Sequence, residues 1–98
     1  MNTLRTLHDA TLRRIEVDWA SGELRLDFKI DKENKTVARI AAKGLTYLEC
    51  PRQYPWGRSV SVNEITEQSR ELGKLLTVAM QSGDLIKAHV AEFILEVA

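Results

Sequence analysis

Alternation of apolar and polar residues with a period of two, broken by glycine-bearing turns, constrains this chain more than any other feature. From Thr11 to Ile30 the residues Ile15, Val17 and Trp19 alternate with Glu16 and Asp18. After Ala20-Ser21-Gly22, Leu24, Leu26, Phe28 and Ile30 alternate with Arg25, Asp27 and Lys29. A period of two places every second side chain on one face of a strand. Glycine supplies the positive φ that a tight hairpin turn needs. The segment therefore reads as a β-hairpin with an apolar face and a charged face.

Asp31 to Lys35 reads as a polar turn. Ala38, Ile40 and Ala42 then alternate with Arg39, Ala41 and Lys43. The pattern resumes in a shifted phase after Gly44, at Leu45, Leu48 and Cys50, which predicts a bulge or a strand break at that glycine. The last third repeats the hairpin logic. Leu76, Val78 and Met80 precede the turn Ser82-Gly83-Asp84, and Ile86, Ala88 and Val90 follow it. In the final strand Phe93, Leu95 and Val97 alternate with Ile94 and Glu96. Because Ile94 is also apolar, this strand is expected either to be buried on both faces or to meet a partner chain.

The segment 61–73 supports two readings. Ser61-Val62-Asn63-Glu64 matches a capping box, and Val60 with Ile65 matches a hydrophobic staple. Ile65, Ser69 and Leu72 fall at helical spacing, with Gly73 as a stop. That predicts a short helix over 62–72. The competing reading is a strand through Asn63 followed by a polar turn. With no βαβ spacing, the sum is one domain over 1–98, mainly β or α+β. It is expected to be a small antiparallel sheet, curled sandwich or half-barrel of about six strands.

Charge narrows the functional classes. The chain has 98 residues, with 14 Lys plus Arg against 14 Asp plus Glu. Nucleic-acid binding leans on a basic face that neutralises phosphates, so no nucleic-acid partner is expected. A polybasic membrane-surface role fails for the same reason, and no apolar run approaches the roughly 20 residues of a spanning helix. The single cysteine, Cys50, fits a reducing compartment, and the amino terminus lacks the apolar core of a signal peptide. A cytoplasmic chain is the expectation.

The candidate site is the loop Arg52-Gln53-Tyr54-Pro55-Trp56-Gly57-Arg58. Binding residues concentrate on loops held by a rigid scaffold. Tyr54 and Trp56 offer large contact area, while Arg52 and Arg58 can grip a carboxylate or phosphate bidentately. The alternative is that Trp56 folds back as a lid on the open end of the sheet. His8-Asp9 joins the candidates, although the pair is explained without chemistry if Asp9 caps the turn into the first strand and orients His8 by a hydrogen bond. Only one further histidine, His89, exists, so neither a metal site nor another cofactor is expected. Cys50 before Pro51 reads as a small core residue rather than a nucleophile, and no catalytic residue is assigned. Arg13, Arg14, Arg25 and Lys29 interleave with Glu16, Asp18, Glu23 and Asp27, which cross-strand charge pairing explains.

With those residues in view, the chain resembles a family of small uncharacterised bacterial proteins. The pieces that carry the resemblance are Leu7-His8-Asp9-Ala10-Thr11-Leu12, Asp18-Trp19, the run Pro55-Trp56-Gly57-Arg58-Ser59-Val60-Ser61-Val62-Asn63-Glu64, and Met80-Gln81-Ser82-Gly83-Asp84. The His-Asp element before a strand is also similar to small β-rich immunity proteins of bacterial toxin systems. Neither resemblance implies an activity. The expectation is a non-enzymatic binding or interaction module, with a protein or a second copy of itself as partner. The alternative is a small-ligand pocket or enzyme built from His8, Asp9, Arg58 and Glu64, which would require those groups to converge.

Overall fold

In the computed structural model, residues 4–30, 36–53, 57 and 60–97 are described. A 3-10 turn at Leu4–Leu7 precedes eight strands: β1 Thr11–Asp18, β2 Glu23–Lys29, β3 Val37–Lys43, β4 Tyr47–Glu49, β5 Val62–Arg70, β6 Gly73–Met80, β7 Leu85–Val90 and β8 Glu92–Val97. They form two open antiparallel sheets of four strands, in the orders β1-β2-β3-β8 and β4-β7-β6-β5. No helix of the described residues is long and apolar enough to cross a membrane. The mainly β, antiparallel expectation holds.

Both hairpins read from the alternation are present. In the first, Asp18 pairs Glu23 across a four-residue connection. The Asp18 carbonyl accepts from the Gly22 amide at 2.9 Å, and Gly22 takes a positive φ of 72°. Trp19 does not continue the apolar face of β1. It sits on this turn, 84% exposed, because the strand ends one residue before it.

Two ribbons pass from one sheet to the other, β3 into β4 through residues 44–46 and β7 into β8 through Ala91. The strand break expected at Gly44 is this corner. Gly44 has a positive φ of 70°, and its neighbour across the corner is Ala91. Lys43 O accepts from Ala91 N at 2.8 Å, and His89 O accepts from Thr46 N at 2.9 Å, so the two ribbons bend together. Strands that switch sheets through a bend make the corners of such packings. Counted as continuous ribbons, the eight segments reduce to the six expected.

The helix expected over 62–72 is not formed; the segment is strand β5, paired to β6. A bulge at Asn63 shifts the register between Val62↔Met80 and Glu64↔Ala79. The extra residue turns Val62 and Ile65, the buried residues of β5, to the same face three positions apart. That spacing imitates a helix. Gly73, read as a helix stop, instead opens β6 at φ 136°, where a Cβ would lie 2.3 Å from Val90 O.

The core is one cluster between the sheets. Leu24, Leu26, Phe28 and Ile40 come from one sheet, and Leu76, Val78, Ile86 and Val90 from the other. Burying each such side chain stabilises the fold by about 1.5–3 kcal/mol. A second corner ties the start of β1 to the approach to β5. Leu12 N donates to Val60 O at 2.8 Å, Val62 N donates to Ala10 O at 2.8 Å, and Thr11 bridges Ser61.

Candidate binding site at the base of the 51–60 loop

Tyr54, Trp56 and Arg58 lie outside the described residues. The stems of their loop are described. Pro51 and Arg52 lead into it from β4, and Val60 leads out toward β5. The outgoing stem is fixed by the Leu12 amide bond to Val60 O. The incoming stem is fixed by Asp84, whose two carboxylate oxygens lie 3.0 and 3.2 Å from Gln53 N.

Asp84 is 4% exposed and also accepts from the Ser82 hydroxyl at 3.0 Å. A buried carboxylate is costly unless hydrogen-bonded, so this residue of the Ser-Gly-Asp turn holds the loop rather than merely turning the chain. In the sequence it is indistinguishable from an ordinary exposed turn aspartate.

Between the stems and β1 runs a cleft of 280 Å³. Its floor is apolar, from Leu12, Ile15, Val60 and Ile86. Its charged lining consists of Arg13, Arg14 and Arg52. Arg13 occupies a β-bulge, with Leu12 paired to Phe28 and Arg14 to Asp27. Bulges re-aim side chains and gather next to functional sites. Here the bulge lets two successive arginines border one cleft, which regular alternation would forbid. Arg14 Nε is 2.8 Å from Glu16 Oε1, an exposed and therefore weak pair. Among the described residues Arg13 has no ion-pair partner. Cys50 is not the core residue expected but is exposed, past the end of β4, where it lines the same cleft; partial desolvation there pushes its thiol up from the ordinary value. A raised thiol is protonated at neutral pH and is a poor nucleophile.

His8 and Asp9 form a separate corner. His8 Nδ1 lies 2.5 Å from the Asn63 carbonyl, which only accepts, so Nδ1 carries the hydrogen. His8 Nε2 is 3.5 Å from Asp9 Oδ2, the two side chains being 60% and 69% exposed. Asp9 takes a positive φ of 66°, donates its amide to Val62 O, and accepts from the Gln81 side chain. These bonds join the 3-10 turn to the β5 bulge and to the β6–β7 turn. His8 and Glu64 line one cleft of 440 Å³ with Asn63, while Arg58, the fourth group of that alternative pocket, lies outside the described residues. His89 is engaged elsewhere, its Nδ1 being 2.8 Å from the Thr46 hydroxyl. The described residues contain no group of three or more His, Cys, Asp or Glu able to hold a metal.

No family model matches the chain, and no curated protein matches it in sequence. Its fold is similar to that in the crystal structure of an uncharacterised protein from Neisseria gonorrhoeae, with a TM-score of 0.73 at 15% identity over 91% of each chain.

Proposed function

We propose that this chain is a non-enzymatic binding module whose site is the 51–60 loop together with the cleft at its base. The supporting observation is that both stems of the aromatic loop, Pro51-Arg52 and Val60, line one cleft rimmed by Arg13, Arg14 and Arg52. Recognition residues on a loop anchored by a buried clamp and a backbone bond are positioned at low ordering cost. By residue type, Tyr54, Trp56 and Arg58 are the candidate contact residues of that loop. The alternative pocket at His8, Asp9 and Glu64 is disfavoured, because His8 and Asp9 spend their hydrogen bonds holding a corner of the fold. A single cysteine supports a reducing compartment such as the cytoplasm.

Replacing Trp56 and Arg58 together by alanine tests the reading. Ligand binding is expected to vanish while the unfolding midpoint stays put. Collapse of the fold in the single Trp56→Ala variant would instead make Trp56 a lid.

A second copy of the chain is the partner suggested by β8. This strand lies at the edge of its sheet, and Ile94 on it is 57% exposed. The other edges are blunted. β1 carries a bulge and arginines, β4 has three residues, and β5 carries a bulge and a polar run. A regular edge rich in apolar residues is the kind that pairs.

A further inference from the structure

We infer that the cleft between β1 and the loop stems takes a carboxylate carried on a short apolar stem. This rests on the proposed binding role of the same site and adds the chemistry of what it binds.

Four observations converge on that class. The charged lining is entirely cationic, in a chain whose formal net charge is zero. An anion is therefore drawn to this cleft by a local arrangement, not by the general field of the protein. The side chains of the floor, Leu12, Ile15, Val60 and Ile86, carry no hydrogen-bonding group, which favours an apolar body on the ligand. The volume of 280 Å³ lies just below the roughly 300–1,000 Å³ typical of small-molecule sites. It suits one small acid, or the last residue of a peptide, and not a nucleotide.

The fourth observation favours carboxylate over phosphate. Phosphate sites are built largely from free backbone amides at helix starts and nests. Here two of the amides beside the cleft are already used. Leu12 N donates to Val60 O, and Gln53 N donates to Asp84. The Arg13 guanidinium is a planar fork that can hold a carboxylate bidentately, and the single flat anion of a carboxylate suits one such fork on an apolar floor. The protonated Cys50 thiol adds no negative charge to repel it. Arg13, set on the bulge and without an ion-pair partner among the described residues, is the principal donor.

Calorimetric titration of the full chain with four probes tests this. The probes are 4-methylpentanoate, its amide, inorganic phosphate, and an acetylated tripeptide ending in leucine with a free carboxylate. The acids are expected to bind saturably, with the amide and phosphate at least about tenfold weaker, as loss of a charge-assisted hydrogen bond dictates. Arg13→Gln should weaken the acids by about tenfold or more, while Arg25→Gln, away from the cleft, leaves them unchanged. If Arg13→Gln does not fold, Arg52→Gln carries the same test. A peptide acid binding far tighter than 4-methylpentanoate assigns the carboxylate to a partner's C-terminus, whereas equal affinities assign it to a free small acid. Phosphate or amide binding as tight as the acids, or acid binding unaffected in a folded Arg13→Gln variant, overturns the inference. Acid binding that survives Trp56→Ala with Arg58→Ala supports this cleft chemistry but sinks the role of the loop. A loop-dependent ligand that is not an acid does the reverse.

Discussion

Gly44 and Ala91 meet at the corner where both sheet-switching ribbons bend, so closely that a Cβ on Gly44 would lie 2.5 Å from the Ala91 Cβ. The contact couples two strands far apart in sequence. It also sets how far the sheets open, because Lys43 O and Ala91 N bond beside it. Gly44→Ala adds this clash to a positive φ of 70°. The expected loss is about 1–3 kcal/mol in denaturant unfolding. Combining it with Ala91→Gly should recover the steric part and leave the backbone part. A neutral Gly44→Ala would show that the corner is not tightly packed.

Asp84 holds the incoming stem of the loop through Gln53 N. Asp84→Ala strands the Gln53 amide, which costs about 1–3 kcal/mol of stability. Amide exchange at Gln53 should accelerate more than exchange in the middle of β2. Equal acceleration at both places would make Asp84 a general stabiliser with no special hold on the loop.

Cys50 reports on its own environment. Burial raises its thiol above the ordinary 9.0, so the pH profile of its alkylation should have a midpoint above that value. The sign for stability follows. A proton bound more tightly in the folded state gives a contribution that is present below the unfolded pKa and lost as pH rises through the raised one. A midpoint below 9.0 would indicate an activated thiolate and contradict a binding-only cleft.

The exposed Ile94 on edge strand β8 gives the dimer its test. Light scattering at micromolar concentration should give twice the 11.1 kDa chain mass, and Ile94→Lys should return the monomer. A monomer in the unmodified chain removes this partner.

The hairpins were legible because each strand keeps one face in the core over several residues, as Leu24, Leu26 and Phe28 do. Two of the failures share one cause. At Arg13 and at Asn63 a bulge inserts a residue, so Leu12 and Ile15, like Val62 and Ile65, stand three apart on the inner side. Spacing of three reads as helix in β5, and in β1 it hid that Arg13 and Arg14 border one cleft. The loop announced itself through residue types alone. Its anchors did not, because Asp84 is made into a clamp by burial, which depends on a strand partner and a stem 31 residues away.

The central claim is that the loop and the cleft beneath it act as one site, and two reporters sit on its two halves. In a Trp19→Phe background Trp56 is the sole tryptophan, and Cys50 is the sole cysteine. Titrating 4-methylpentanoate while following both Trp56 emission and the Cys50 alkylation rate should give changes along a single saturation curve, with alkylation slowed. Protection of Cys50 with unchanged Trp56 emission, or the converse, would contradict it.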